Sequence, residues 1–554
     1  MHRASWKLWA AAVLSAALLE LPFPLAGPMP PWRSIFAWFA LVPLLAAVLS
    51  CPNRSAPHPL RRAFLLGYVC GVLWYAGNCY WIYDTMYIYG GLPSWASAFM
   101  LAGFSLVLGL YFGIFAWAVM LVYRATGDLR WALVSAPILW IALDLAAARI
   151  TSVPWDQLGY SQIDNAILTH LAPWTGVYGI TFVLVAGNAL IAGGLLIRRC
   201  TVRRITGIAG VLLACGLTAG VLVSPPEPAP TTTAVLIQPN LNVGSNDPWS
   251  KPGVWNQHIA QFDQLAHKTC GPYIAGIPQT GAPHAEIPCT PNPAHPDLVA
   301  WPESPAPFFE EDPRFEKVMS SIAQQVHAPL VVNAIGSDYS AAEAQSDDYV
   351  SALVFNSDGR RVGRYDKIHL VPFGEYIPFH QLFFFAHKLA GAVPNFTHGK
   401  TRKVFLLDGH RYGVFICYEA VFADEVRHFT RLGAQVLVNI SDDGWYGDTS
   451  APWQHLNMAR MRAVENRRWL LRDTNNGVTA SIDPYGRVRQ SISRHQVGAL
   501  AAGFGFRDDI TFYAAHGDVF AWVCAILSIG VVILCLQLTL DLRRSKKPGK
   551  LLTR

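Results

Sequence analysis

Eight apolar runs near bilayer-spanning length, seven of them within the first 224 residues, set the main constraint on what this 554-residue chain can fold into. They lie around 8–25, 34–50, 62–83, 94–122, 130–149, 166–197, 204–224 and 517–540. A helix needs about 20 predominantly apolar residues to cross the hydrocarbon core, where its own backbone hydrogen bonds must satisfy every peptide group. Only 14% of the residues are charged, against about 25% in soluble domains, so much of the chain belongs in lipid. Prolines at 22 and 24 interrupt the first run, and the sixth is overlong. A signal peptide is the alternative for the first run, but more spans follow and no small-residue cleavage site stands out.

Basic residues then orient the spans. Arg3 and Lys7, then Arg54, Arg61 and Arg62, then Arg124 and Arg130, then Arg198, Arg199, Arg203 and Arg204 fall in alternate connections. Arg543, Arg544, Lys546, Lys547 and Lys550 follow the last span, whereas the opposite connections hold little beyond Arg33 and Arg149. Lys and Arg accumulate on the cytoplasmic side, so both termini are expected there and the long polar segment on the outer side. The expected organisation is a transmembrane domain at 1–225 with about seven helices and an extramembrane domain at 226–515. A C-terminal span and basic tail at 516–554 complete it. Trp74, Tyr75, Tyr80, Trp81, Tyr83, Tyr87 and Tyr89 crowd one outer connection. They read as an interfacial aromatic belt or as one wall of a lipid-entry site.

The extramembrane segment has the pattern of an α/β domain. Short β-rich runs such as Ala234–Gln238, Leu298–Trp301, Leu330–Asn333, Ser351–Phe355 and Val436–Ile440 alternate with helix-like stretches at 255–267, 314–327 and 451–469. That alternation points to layered sheets and helices. A Pro- and Gly-rich insertion near 268–297 carries Cys270 and Cys289, which outside the cytoplasm are expected to pair as a stabilising disulfide. Most other cysteines lie in or beside spans, which leaves Cys417 as the thiol in need of an explanation.

Cys417 ends the apolar run Tyr412–Ile416, where a strand-to-helix turn can present a nucleophile. Two further polar islands supply Glu303, in Trp301-Pro302-Glu303, and Lys367 and Glu375, in Tyr365-Asp366-Lys367 through Gly374-Glu375. A thiol is mostly protonated at neutral pH, so Glu303 is expected to act as general base and Lys367 to stabilise thiolate and oxyanion. Glu375 would hold Lys367 or assist the second half-reaction. His369 and His410 offer Cys–His alternatives with no distinguishing spacing, and His455 reads as a satisfied polar group near a helix start.

These islands resemble the Glu-Lys-Cys triad of the nitrilase superfamily, which implies an αββα sandwich. Leu370–Pro378, Ile416-Cys417-Tyr418-Glu419, Asp443–Asp448, Gln454-His455 through Arg462 and Thr474–Thr479 are similar to the apolipoprotein N-acyltransferase family. So are Pro154-Trp155, Gly159–Gln162 and Thr175–Gly179 in the apolar half. The resemblance implies a multi-pass inner-membrane enzyme with its catalytic domain on the periplasmic side. It implies acyl transfer from a phospholipid, phosphatidylethanolamine above all, through a Cys417 thioester to the S-diacylglyceryl-cysteine α-amine of an apolipoprotein. Tyr418 and Glu419 would support the triad, and a functional tryptophan is Trp249 or, directly before a helix, Trp255. No cofactor, metal or nucleic acid is implied, and a monomer is expected. Asp442 and Gly444 stand where the family often has Asn and Ala, and Asp144 replaces its longer acidic residue. A membrane-tethered amidase releasing product to water, or an inactive lipoprotein-docking scaffold, would be the rival readings.

Overall fold

The computed structural model describes residues 2–197, 200–243, 252–270, 289–291, 295–303, 308–340, 345–376 and 395–545. They form two compact units, the first comprising 1–80, 98–224 and 518–554 and the second 81–97 and 225–517. Residues 81–97, which the apolar pattern assigns to the membrane half, belong with the second unit.

The first unit is helical. Among the described residues six helices are long and apolar enough to cross a membrane, or seven if the pair Pro59–Asn78 and Trp81–Tyr89 forms one bent span. Proline and glycine break the predicted runs. The second run divides into a tight turn of helix at Pro31–Trp38 and an α-helix at Val42–Leu49, which has Pro43 in its first turn. The sixth divides into short helices at Ala166–Thr169 and Ala172–Thr175 and a long one at Val177–Leu196. Gly176 makes that last break at φ +62°, a conformation that costs glycine little and other residues more.

The second unit contains two sheets. In chain order the strands are β1 (Thr232–Gln238), β2 (Lys268–Cys270), β3 (Cys289–Pro291), β4 (Leu298–Trp301), β5 (Phe308–Phe309), β6 (Leu330–Ser340), β7 (Gln345–Phe355) and β8 (Arg361–Asp366). There follow β9 (Val404–Leu407), β10 (His410–Ile416), β11 (Val436–Ser441), β12 (Leu470–Thr474), β13 (Thr479–Ile482), β14 (Val488–Ile492) and β15 (Gly498–Phe504). The first sheet runs β3-β2-β15-β1-β4-β6-β7-β8 with β5 beside β6, and the second β14-β13-β12-β11-β10-β9.

Side-chain alternation sorts the layers, because successive strand residues point to opposite faces. On β1, Ala234 and Leu236 enter a core shared with Val414, Ile416, Val438 and Leu471 of the second sheet. Val235 and Ile237 enter another, with Phe262 of the Pro252–Ala266 helix and Phe315, Met319 and Ile322 of the Pro313–Val326 helix. Behind the second sheet, the Ala423–Arg431 and Ala451–Asn466 helices contribute Val426, Phe429, Leu456 and Ala459 to the shared core. The result is an αββα sandwich.

Cys270 and Cys289 are opposite one another in the β2–β3 pair, but their side chains lie outside the described residues, as does Trp249. Seven cysteines among the described residues, Cys417 included, are unpaired.

Candidate active site

Three strand ends meet in this sandwich. Glu303 follows β4, Lys367 follows β8 and Cys417 follows β10, the carboxyl ends of strands being where open α/β sheets place their ligands. Lys367 continues the β8 pairing, its backbone N–H donating to the Val350 carbonyl at 2.8 Å. Its side chain is fully buried, and Nζ donates to Glu303 Oε1 at 3.0 Å and Glu375 Oε1 at 2.5 Å. A tight turn presents Glu375: its N–H donates to the Val371 carbonyl at 2.9 Å, and its Oε2 accepts from Val371 N–H at 2.8 Å. Phe373, within that turn, is left-handed at φ +63°. Glu303 Oε2 in turn accepts from the Asp442 N–H at 3.1 Å, which ties the first sheet to the end of β11 in the second.

Cys417 opens a short helical turn, Cys417–Val421, at φ +48°. Left-handed backbone is costly for a residue with a Cβ, by about 1–2 kcal/mol, and persists where its surroundings over-determine it. Glu419 supplies much of that determination. Its Oε2 accepts from Ile416 N–H at 2.7 Å, and its Oε1 from Ile368 N–H at 2.7 Å, His369 N–H at 3.2 Å and the Tyr365 hydroxyl at 2.8 Å. One buried carboxylate therefore binds the nucleophile's turn to the segment carrying Lys367.

The electrostatics belong to a closed site. Burial pushes the Cys417 thiol well above its usual range; Glu303 adds to this, while Lys367 and a hydrogen bond with Ser441 work against it. Burial disfavours the Lys367 ammonium, but Glu303, Glu375 and Cys417 outweigh it and hold the proton more tightly than water does. Burial also raises Glu375, with Lys367 opposing and Glu303 reinforcing. The resting site thus has a neutral thiol beside a firmly charged ammonium. Passing the thiol proton to Glu303 would leave the net charge of the cluster unchanged, which is the favourable way to make a thiolate in a low-dielectric pocket.

Glu303, Lys367, Glu375, Cys417 and Glu419 are therefore assembled together. Tyr418 packs edge-on against Phe422, with ring centroids 5.1 Å apart. Trp255 is placed differently: it is buried in the helix-facing core, edge-on to Phe308, with the Arg314 guanidinium 4.5 Å from its ring centroid. Of the aromatic group read as belt or wall, Trp81 packs edge-on against Tyr446 at 5.1 Å, and Tyr89 lies 6.2 Å from Trp445. Tyr87 and Ile88 remain exposed. Ser441 and Arg472 were not marked by any local spacing, yet they are buried beside the site, as is Asp443 of the Asp443–Asp448 string.

Residues 8–190 match the apolipoprotein N-acyltransferase N-terminal domain, and residues 246–502 match the carbon-nitrogen hydrolase domain. An apolipoprotein N-acyltransferase from Geobacter metallireducens is 34% identical over 522 residues, covering 93% of this chain and 92% of its own. The chain belongs to the apolipoprotein N-acyltransferase family. Another member, from Vibrio cholerae, is 29% identical over 507 residues, covering 88% of this chain and 90% of its own. Among solved structures, an amidase of the nitrilase superfamily from Nesterenkonia AN1 aligns at 16% identity and TM-score 0.35, over 52% of this chain and 95% of that one. Membership spans both units, so the family's apolar half and its hydrolase-like half occur here in one polypeptide.

Proposed function

We propose that this protein transfers a fatty acyl chain from a phospholipid to the α-amino group of the S-diacylglyceryl-cysteine that begins an apolipoprotein. Glu303 takes the Cys417 proton as the sulfur attacks the ester carbonyl, and Lys367 faces the negative charge that develops on the carbonyl oxygen. The C–O bond breaks, Glu303 returns the proton to the departing lysophospholipid oxygen, and a thioester remains on Cys417. In the second half the lipoprotein amine attacks that thioester. Glu303 accepts the amine proton, the C–S bond breaks and the thiolate is reprotonated. Glu375 and Glu419 position Lys367 and the Cys417 turn; Tyr418 lies on that turn, and Trp255 stays a weaker candidate for substrate contact because packing already explains its burial. The chemistry requires neither cofactor nor metal.

The observation that carries this reading is the buried Lys367 ammonium held between Glu303 and Glu375, with the Cys417 thiol under the influence of both Glu303 and Lys367. Apolar helices in the same chain support a membrane-resident donor such as phosphatidylethanolamine. The distribution of basic residues supports an inner-membrane setting, with cytoplasmic termini and the catalytic domain in the periplasm. A monomer is sufficient, because the Glu303, Lys367 and Cys417 side chains come from one chain.

The test is to incubate purified protein with phosphatidylethanolamine and measure the mass of the Cys417 peptide. An acyl adduct that persists until a diacylated lipopeptide is added, and then moves to its amine, is the expected result. Rapid loss of the adduct to water would make the protein a hydrolase, and an adduct on Cys417→Ser protein at the wild-type rate would remove the nucleophile assignment.

A further inference from the structure

The left-handed nucleophile is restrained from a second direction, by a buried polar network that the reaction itself does not use. Parallel pairing of β10 with β11 matches Ile416 with Ile440, so Cys417 and Ser441 leave adjacent strand ends together. Ser441 Oγ donates to Asp443 Oδ1 at 3.0 Å. Asp443 Oδ1 lies 2.9 Å from His455 Nδ1, and Arg472 Nη2 reaches both carboxylate oxygens at 2.9 and 2.7 Å. His455 then turns its other nitrogen, Nε2, to the backbone carbonyl of Cys417 at 3.1 Å. Asp443, His455 and Arg472 are fully buried.

A carbonyl only accepts, so the 3.1 Å contact of Nε2 with the Cys417 oxygen requires a hydrogen on Nε2. At Nδ1 the ring meets an acceptor, Asp443 Oδ1 at 2.9 Å, and a donor, Arg472 Nη2 at 3.1 Å. The tautomer that presents Nε2–H to Cys417 takes its Nδ1 bond from Arg472, which also bonds Asp443. The ring is thus held with Nε2–H aimed at Cys417, as a second-sphere partner fixes the ring of a metal-bound histidine. Turned about Cα, Cys417 would carry its sulfur away from Glu303 and Lys367, and a bond to its carbonyl is what opposes that rotation.

We infer that His455, oriented by Asp443 and Arg472, is a positioning residue for the nucleophile, clamping the Cys417 carbonyl so that the sulfur faces Glu303 and Lys367. This rests on the reading of Cys417 as the acylated residue. His455 touches neither substrate nor the reacting atoms; its effect is on how often the thiol stands in the attacking geometry.

Two amides of equal polarity separate this role from general support of the fold. In His455→Gln the amide nitrogen falls near the place of Nε2 and can still donate to Cys417. In His455→Asn it falls near Nδ1 and the bond to Cys417 is lost. Single-turnover acylation of the full-length protein by phosphatidylethanolamine, in detergent, should be slowed up to about 10²-fold in the Asn variant with KM unchanged, and much less in the Gln variant. Thermal unfolding confirms that the two variants are equally folded. Equal acylation rates in the two variants, or a loss confined to KM, would overturn the inference. Wild-type protein that forms no adduct on Cys417 would instead overturn the reading beneath it.

Discussion

Lys367 is the residue on which the site's charge balance turns. Between two carboxylates and without exposure to water, its ammonium cannot be exchanged for a neutral group without leaving Glu303 and Glu375 facing each other unscreened. Lys367→Met should therefore lower acyl-enzyme formation by about 10²–10³-fold, the usual loss for an oxyanion donor, as read by the rate of adduct appearance on Cys417. Glu375→Gln keeps a polar contact but removes one charge from Lys367. It should slow acylation by up to about 10²-fold while leaving thermal unfolding close to wild type; unaltered turnover would remove Glu375 from the positioning set. The triad residues were readable from short strings because each sits in its own local motif. Asp443 and His455 also fall in such strings, but what joins them to one another, to Arg472 and to Cys417 was not readable: these partners lie 12 to 38 residues apart along the chain, joined only once β10, β11 and β12 lie side by side.

At the level of elements, the decisive joint is between the turn after β10 and the segment after β8. Glu419 holds four donors from these two places. In Glu419→Gln one oxygen becomes a donor facing donors, so the variant should lose about 2–3 kcal/mol of stability and acylate more slowly. Unchanged thermal unfolding would show that the carboxylate is not the joint. Of the strands, β1, β4, β6, β7, β10 and β11 were read from their apolar runs, whereas β8 and β12 to β15, which mix charged, polar and small residues among the apolar ones, were not. Helical breaks in the apolar half were foreseen poorly, because run length alone does not locate where Gly176 reverses the backbone. Residues 81–97 were placed between two spans, with their aromatics as a belt or a wall, and sequence alone did not show that Trp81 and Tyr89 have Tyr446 and Trp445 as partners.

For the whole molecule, two expectations follow. The proposed orientation predicts that an impermeant thiol reagent labels Lys400→Cys in intact spheroplasts, above the labelling of the unsubstituted protein. It should label Arg124→Cys only after lysis, and the reverse pattern would invert the topology. Folding should also respond to acid through the buried network. Burial, then Arg472, hold the His455 ring below its usual value of 6.5, against Asp443 and the Cys417 carbonyl. A histidine whose folded value is depressed contributes stability that is present above its unfolded value and is lost as pH falls below it, because the unfolded chain takes up the proton first. Between pH 6.5 and 5.5 the decline in stability should be shallower in His455→Gln than in wild type, by at most about 1.4 kcal/mol per pH unit. Equal slopes would mean that the ring titrates alike in both states.

Hydropathy, the placement of arginines and lysines, and three compact motifs were enough to specify a membrane half, an α/β half and the candidate reacting groups. Those properties are local: a span is recognised by its own length and a nucleophile by its own neighbours. What bonds to the nucleophile's carbonyl, and which carboxylate ties its turn to the lysine, depended on strand order and register. Parallel pairing of β10 with β11, and the packing of one sheet on the other, bring the ends of remote segments into hydrogen-bonding reach, and no spacing along the chain records which ends will meet.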